Sequence, residues 1–310
     1  MKKFFIKSVL LILAVLILQT LVGYHNIEFK ELDDLNRYLK KEKAAVIYLT
    51  DCTDYTLSKD DRDKRTVTQM LREMNHDRRI GNVAHAAYQV EIFLEFCRYI
   101  VKQENQPGVI IIPINMRSFS PQWDWNPHYQ FEKEKILLKG GLPGRLLSAF
   151  YKPLRAFGYD LRAISREEYL NKPVLDGPKQ VGTIRDFETL PKKENRETDI
   201  RKKLFLYYMP ALKPDHRKLK AMLEIPRLLK SQQIQLIFYL TPIDVETGED
   251  YFPREFTLKL KQNTGLIKRL LLEQGVKVLD LSLDLRKDGF SWEDRVFPSE
   301  QLNAKGRRYL

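Results

Sequence analysis

The apolar residues of the chain fall into short continuous runs that alternate with segments of helical spacing. Five runs have the length of buried strands: 44–49, 81–84, 109–114, 235–240 and 276–281. Four segments of helical spacing lie between them: 65–73, 88–101, 217–231 and 256–273. Strands that alternate with helices in this way predict an α/β domain with a parallel sheet. In such a sheet the functional residues lie at the carboxyl ends of the strands.

The amino terminus has a different pattern. Lys2 and Lys3 precede an apolar stretch from Phe4 to Val22, and roughly 19 residues are enough to cross a hydrocarbon core of about 30 Å. A cleaved signal peptide is the alternative, but residues 18–23 match a small-residue cleavage site poorly. We therefore expect residues 1–23 to form an uncleaved membrane anchor. The lysines would stay cytoplasmic, which places the rest of the chain on the extracytoplasmic side.

Two further segments interrupt the alternation of strands and helices. Residues 24–43 are polar with leucines at helical spacing, which predicts a stalk helix between the anchor and a domain at 44–310. Residues from about 116 to 203 form a long insertion after the third strand. An insertion of this length is commonly a lid, a partner surface or a partly disordered segment. Within it, residues 142–157 have the spacing of a basic amphipathic helix.

The charge of the chain narrows the choice of partners. Lys and Arg total 53 against 41 Asp and Glu, which gives a net charge of +12. This surplus suits a phospholipid surface, an acidic polysaccharide or nucleic acid, and the predicted extracytoplasmic location disfavours nucleic acid. No glycine-rich nucleotide fingerprint occurs in the sequence, and the histidines lack metal-ligand spacing. We therefore expect neither a cofactor nor a metal.

Residues at the predicted strand ends carry a family resemblance. Thr50-Asp51-Cys52 follows the first strand, Asn115 follows the third, and Leu302-Asn303 lies near the carboxyl terminus. In this order and context they resemble the catalytic blocks of the SGNH (GDSL-type) hydrolases over most of residues 44–310. The resemblance implies a flavodoxin-like three-layer α/β/α sandwich and ester or acyl-transfer chemistry. It also implies that Cys52 replaces the nucleophilic serine and that Asn115 is an oxyanion donor.

Several positions depart from the pattern of that family. The loop after the second strand lacks the expected oxyanion glycine, Pro298 replaces the aspartate, and Gln301 replaces the histidine. Glutamine cannot act as a general base, and a cysteine attacks only as its thiolate. We therefore expect an impaired catalytic site. His85 is a candidate replacement base, although a lone histidine is more often structural.

Other candidate residues have both a functional and a structural interpretation. Cys52 is either a nucleophile or a small residue in a tight turn, and Asn115 either stabilises an oxyanion or caps backbone groups. Four residues are candidates for substrate binding: Asp51, Trp123, Trp125 and Asp244. The tryptophans would stack on sugar rings or pin loops onto the domain, and Asp244 would bind hydroxyl groups or border a turn.

The segment from Arg117 to Trp123 resembles a loop of envelope-anchored members of the same superfamily. This resemblance implies a role in acyl, often acetyl, modification of envelope glycans, sometimes beside a membrane-bound O-acyltransferase. One hypothesis is a degenerate domain that binds an envelope polysaccharide or a partner. The alternative is an active esterase or O-acyltransferase that uses Cys52. A third possibility is an envelope assembly protein that does not use the cleft.

Overall fold

A computed structural model describes residues 2–25, 29–120, 123–124, 129–140, 196–292 and 298–310. Its five parallel strands are β1 Val46–Thr50, β2 Ile80–Ala84, β3 Val109–Ile114, β4 Gln235–Leu240 and β5 Val278–Asp280. They form one sheet in the order β2-β1-β3-β4-β5. This is the strand order of flavodoxin. The prediction of an α/β fold with a parallel sheet is confirmed.

The helices connect these strands and continue beyond them. Ten are α-helical: α1 Lys2–His25, α2 Lys30–Asn36, α3 Val67–Met74, α4 Val90–Ile100, α5 Glu132–Lys139, α6 Arg196–Tyr208, α7 Arg217–Lys230, α8 Val245–Tyr251, α9 Glu255–Glu273 and α10 Ala304–Tyr309. A π-helical turn spans Arg37–Glu42, and 3-10 helices span Met116–Phe119 and Lys287–Gly289. These bounds refer to the described ranges.

The sheet lies between two layers of helices. Alternate strand residues such as Ile47, Ile110 and Phe238 point into the larger core, where α4, α7 and α9 pack. Residues of the opposite parity, Tyr48 and Tyr239, contact the smaller layer that α3 and the carboxyl terminus cover. A strand alternates its side chains between the two faces of the sheet, so apolar residues on both faces need helices on both sides.

The segment predicted as a stalk is helical, but it packs onto the domain. Leu35 and Leu39 are 0% and 1% exposed and belong to the larger core. The ring of Tyr38 lies so close to Gly81 of β2 that a Cβ at that position would lie 2.6 Å from a ring atom. The packed domain therefore includes residues 29–43 and does not begin at residue 44.

Helix α1 covers the predicted anchor. Over the residues whose side chains the structure describes, no helix is both long enough and apolar enough to cross a membrane. The insertion is described at 116–120, 123–124, 129–140 and 196–203, and the amphipathic helix predicted at 142–157 lies outside the described residues. The anchor and the role of the insertion remain predictions.

The packing of α2 gives a direct test. Replacing Leu35 by Ala should lower the free energy of unfolding by about 2–5 kcal/mol, because the substitution leaves a cavity in the core. The control is Leu258→Ala on α9, where the leucine is 55% exposed and the expected change is within about 0.5 kcal/mol. Urea denaturation of both variants measures the difference. Equal stability of the two variants would indicate an unpacked stalk.

Candidate functional site

The turn after β1 is shaped by the carboxylate of Asp51. One oxygen of Asp51 accepts hydrogen bonds from the backbone N–H and the hydroxyl of Thr53, at 2.9 and 2.7 Å. The other oxygen accepts from Asn115 Nδ2 at 3.2 Å, which brings the ends of β1 and β3 together. Asn115 Oδ1 is buried and has no hydrogen-bond partner in the described part of the chain. The two predicted strand-end residues therefore lie side by side.

Cys52 follows Asp51 and is partly exposed. Two N–H donors contact its sulfur, Gln301 Nε2 at 3.6 Å and Arg117 Nη2 at 3.8 Å. The backbone N–H of Ala87 is a third donor that acts on the pKa of the thiol. Burial raises the pKa of the Cys52 thiol and the charge of Asp51 raises it further, while the three donors partly oppose the increase. The pKa remains above its usual value, so Cys52 is a thiol at neutral pH.

Ala87 lies in the loop after β2, where the expected glycine is absent from the sequence. It lies in a turn in which the N–H of Tyr88 donates to the carbonyl oxygen of His85 at 3.2 Å. The φ angle of Ala87 is 66°, in the left-handed region that favours glycine. The backbone N–H of Ala87 acts to lower the pKa of the Cys52 thiol. An alanine therefore adopts here a conformation that glycine adopts more readily.

Gln301 lies where a triad would place its general base. The residue is 6% exposed, and its amide nitrogen is the group that contacts Cys52 Sγ. Gln301 Oε1 is buried and has no hydrogen-bond partner among the described residues. Pro298, at the predicted aspartate position, is buried and supplies no side-chain acceptor. Among the described residues, the thiol therefore contacts an amide and no imidazole.

A buried ion pair between Arg117 and Glu300 lies beside the two groups that contact Cys52 Sγ. Arg117 Nε lies 2.9 Å from Glu300 Oε2, and the two side chains are 6% and 0% exposed. The backbone N–H of Arg117 also donates to Glu300 Oε1, at 3.3 Å. Burial raises the pKa of Glu300, and the positive charge of Arg117 opposes that increase. Neither residue has a site role among the sequence predictions, although Arg117 lies two positions after Asn115 and Glu300 lies next to Gln301.

Asp124 connects the start of the insertion to the beginning of α7 through ion pairs. Its carboxylate lies 3.0 Å from His216 Nε2, 2.8 Å from Lys218 Nζ and 3.2 Å from Arg217 Nη2. Burial acts to raise the pKa of Asp124, but its cationic neighbours dominate and hold it below its usual range. Lys218 also donates to the carbonyl oxygen of Ser118, which fixes the 3-10 helix that carries Arg117.

His85 lies at the surface of the turn that carries Ala87. Its Nδ1 lies 2.8 Å from the carbonyl oxygen of Ala86, and its ring packs against Tyr88 and Phe131 at centroid distances of 4.9 and 5.6 Å. Within the described residues, no hydrogen bond joins His85 to Cys52. Its predicted role as a replacement base gains no support from these contacts.

The remaining candidates have internal contacts. Trp123 is 4% exposed and stacks 4.6 Å from the ring of Tyr129, in agreement with the loop-pinning alternative. Asp244 caps α8 by accepting from the N–H of Thr247 at 3.0 Å, and it also accepts from Trp292 Nε1 at 2.7 Å. Trp125 lies outside the described residues. Of the three predicted substrate-binding residues that the structure describes, only Asp51 lies next to Cys52.

Comparisons with known proteins give similarity to solved structures alone. No family model matches the chain, and no curated protein matches it. Among solved structures, a catalytic mutant of an acetylxylan esterase from Geobacillus stearothermophilus is similar, with a TM-score of 0.34 and 13% identity. The match covers 83% of this chain and 87% of that chain. At so low a TM-score the function of the chain has to be argued from its own site.

The raised pKa of Cys52 predicts its reactivity. Alkylation of Cys52 by iodoacetamide should reach half its maximal rate at a higher pH in the folded protein than in the urea-unfolded chain. Mass spectrometry of the Cys52 peptide over a pH series measures this difference. Cys97 is the internal control, because it is fully buried and should react only after unfolding.

The raised pKa of Cys52 also makes the free energy of unfolding depend on pH. The unfolded thiol ionises at about pH 8.5, before the folded thiol does, so the contribution of Cys52 to stability falls as the pH rises through that value. Faster alkylation of the folded protein than of the unfolded chain near neutral pH would contradict the raised pKa.

Proposed function

We propose that this chain is an SGNH-like domain that binds acyl-modified envelope glycans without hydrolysing them. The observation that carries the proposal is the contact between the Gln301 amide and Cys52 Sγ at 3.6 Å. Triad chemistry needs a base that removes the proton of the nucleophile, and an amide cannot do so. Losing such a residue typically lowers the rate by a factor on the order of 10⁴ or more.

The hydrogen-bond donors of the site support a binding role. The guanidinium of Arg117 and the amide of Gln301 both contact Cys52 Sγ, so a carbonyl oxygen bound beside the sulfur could accept hydrogen bonds from them. Arg117 and Gln301 are buried and held in place, so little conformational entropy is lost when a ligand binds. The described part of the site thus has the donors needed to recognise an acyl group and no contacting base that would cleave it.

The amino-terminal helix supports an envelope location. The apolar side chains of α1 face outward, with Phe4, Leu11 and Leu18 exposed by 78%, 66% and 66%. Leaving apolar side chains in water costs roughly 25 cal/mol per Å², whereas a bilayer would cover them. We propose that α1 is a single-pass anchor with the domain on the extracytoplasmic side. A membrane-bound O-acyltransferase and an envelope polysaccharide are the proposed partners.

The activity test uses the full chain in mild detergent with 4-nitrophenyl acetate. The steady-state rate of wild type should stay close to the rate in buffer, because no base activates Cys52 or water. The double variant Gln301→His with Pro298→Asp should raise the steady-state rate at least about tenfold, since general-base catalysis typically contributes 10²–10⁴. Adding Cys52→Ala to the double variant should remove this gain.

A high steady-state rate in wild type that Cys52→Ala abolishes would overturn the proposal. It would assign the chain to the alternative, an esterase or O-acyltransferase with Cys52 as nucleophile.

The anchor is tested separately by cell fractionation. The full chain should remain with the membranes after alkaline carbonate extraction. Leu11→Lys with Leu16→Lys should release it, because each lysine near the centre of a membrane-spanning helix costs about 2.5–3.5 kcal/mol. Leu258→Lys on the exposed surface of α9 is the control and should leave the fractionation unchanged. Release of wild type by carbonate would contradict the anchor.

A further inference from the structure

The turns that lead into the strands lie together at one edge of the domain. All strands of a parallel sheet begin at the same edge, so this amino edge lies opposite the strand end that carries Cys52. The residues of the amino edge are 40–45, 74–79, 101–108, 230–234 and 272–277. Eight of them are basic and exposed, and these eight form the basic edge: Lys40, Lys41, Lys43, Arg78, Arg79, Lys102, Lys230 and Lys277. Four residues of the amino edge are acidic: Glu42, Asp77, Glu104 and Glu273.

Helix geometry accounts for only part of this charge. Helices end at the amino edge, and cations are favourable at the carboxyl end of a helix. Three residues of the basic edge lie in the last turn of a helical segment, and the other five follow the helices: the three are Lys40, Lys41 and Lys230. Glu42 and Asp77 already pair with arginines. In the part of the chain that the structure describes, no carboxylate lies within ion-pair distance of the six lysines, so their charge is open to an external anion.

The edge around the cleft has a different balance of charge. Residues 241–252, which follow β4, include four acidic residues and no basic one. The loop at 51–66, which follows β1, includes five aspartates and four basic residues. An anionic surface would therefore attract the amino edge of the domain and not the edge that carries the cleft.

Apolar surface is exposed beside the basic residues. Met74 at the end of α3 and Leu272 near the end of α9 are 80% and 69% exposed. A groove of about 820 Å³ opens at the same edge, and Lys230, Leu236, Val276 and Lys277 are among the residues that line it. The amino edge thus presents cations and apolar side chains together.

A bilayer that contains anionic phospholipid matches both features. Its phosphate groups attract lysines and arginines, and its acyl region accepts exposed apolar side chains. A soluble acidic polysaccharide supplies the negative charge but leaves Met74 and Leu272 in water. The width also fits, because five strands about 4.8 Å apart make an edge about 19 Å wide, which covers several lipid headgroups.

We propose that the basic edge binds the anionic phospholipid surface beside α1. This inference rests on the proposed anchor and goes further, because it assigns the face of the domain that lies against the lipid. Three residues separate His25, the end of α1, from the buried Phe29, and this length of chain reaches about 14 Å at most. The domain therefore stays close to the bilayer. With the basic edge on the lipid, the cleft that carries Cys52 faces away from the membrane.

Lysine acetylation of the full chain in lipid nanodiscs tests this surface. A water-soluble acetylating reagent is applied in discs of phosphatidylcholine and in discs that also contain phosphatidylglycerol, and peptide mapping measures each lysine. In the anionic discs, the acetylation rates of the six lysines of the basic edge should fall at least about threefold, because headgroups cover them. Lys64 and Lys287 at the cleft edge are controls and should change by less than about 1.5-fold. About 1 M salt should restore the rates, since it shortens the Debye length to about 3 Å.

A charge variant tests whether the lysines act together. Lys230→Gln with Lys277→Gln should reduce the protection of the remaining lysines of the basic edge at least about twofold, because the attraction to the lipid is weaker. Lys64→Gln with Lys287→Gln removes the same charge from the cleft edge and should leave the protection unchanged. Both variants replace exposed lysines, so their thermal unfolding should match that of wild type.

Two tryptophan variants on α9 test the contact with the acyl region. Leu272→Trp lies at the amino edge, and Leu258→Trp lies about 21 Å away along the same helix, near the cleft edge. Both leucines are exposed. In anionic discs that contain brominated phosphatidylcholine, the fluorescence added by Leu272→Trp should be quenched at least about twofold, because the side chain enters the lipid. The fluorescence added by Leu258→Trp should not change.

Each result decides between the possible occupants of this edge. Protection in anionic discs together with quenching at position 272 supports the inference. Equal acetylation in neutral and anionic discs overturns it. Protection by soluble polygalacturonate without protection by anionic lipid overturns it in favour of a polysaccharide. Protection that grows with the number of chains in each neutral disc overturns it in favour of a second copy of the chain.

The proposed anchor has a separate readout. A chain that stays with neutral discs in about 1 M salt is held by α1, whatever the pattern of acetylation. A chain that leaves neutral discs contradicts the anchor. Binding to anionic discs that salt reverses would then still support the basic edge, and the absence of binding to either kind of disc would overturn it.

Discussion

The buried ion pair between Arg117 and Glu300 joins two parts of the chain that lie 183 positions apart. One part follows β3 and carries Asn115, and the other is the carboxyl-terminal segment that carries Gln301. Removing one partner of a buried pair typically costs about 3–5 kcal/mol, because the remaining charge is left without compensation. The pair therefore fixes where the carboxyl-terminal segment meets the sheet, and with it the group that faces Cys52.

A second buried arginine holds the opposite side of the same segment. Arg307 is 1% exposed and donates to the backbone carbonyl oxygens of Thr56, Asp63 and Arg65 and to the carboxylate of Asp61. These acceptors belong to the loop that follows Cys52, so the hydrogen bonds of Arg307 hold α10 against that loop. The contacts of Arg117 with Glu300 and those of Arg307 are both buried and involve charged groups, so the cleft is held in one arrangement. The segment that carries Gln301 is therefore held by buried charged groups on both sides.

The fold was predictable because buried parallel strands appear in the sequence as continuous apolar runs. Val109 to Ile114 and Gln235 to Leu240 have the predicted bounds, and the order of the strands then brings Asp51 and Asn115 together. The packing of α2 was not predictable in the same way. A polar helix with a leucine stripe has the same sequence pattern whether it packs on its own domain or on a partner. Leu35 and Leu39 face the domain.

The site was predictable only in part. Cys52 and Gln301 follow from their positions at a strand end and near the carboxyl terminus, and the structure places them in contact. The pairing of Arg117 with Glu300 depends on tertiary structure, and no local pattern marks it. The donor at Ala87 was missed because the expectation looked for a glycine, whereas the backbone conformation matters and an alanine adopts it here at a cost of about 1–2 kcal/mol.

The central claim is that the side chain of residue 301 faces the sulfur of Cys52. The most direct measurement is the pH dependence of Cys52 alkylation in Gln301→Lys and Gln301→Glu. A positive charge beside the sulfur favours the thiolate and a negative charge disfavours it. The pKa of Cys52 should fall by about one unit or more in the lysine variant and rise by a similar amount in the glutamate variant. Identical profiles in wild type and both variants would contradict the account, because residue 301 would then lie away from the thiol.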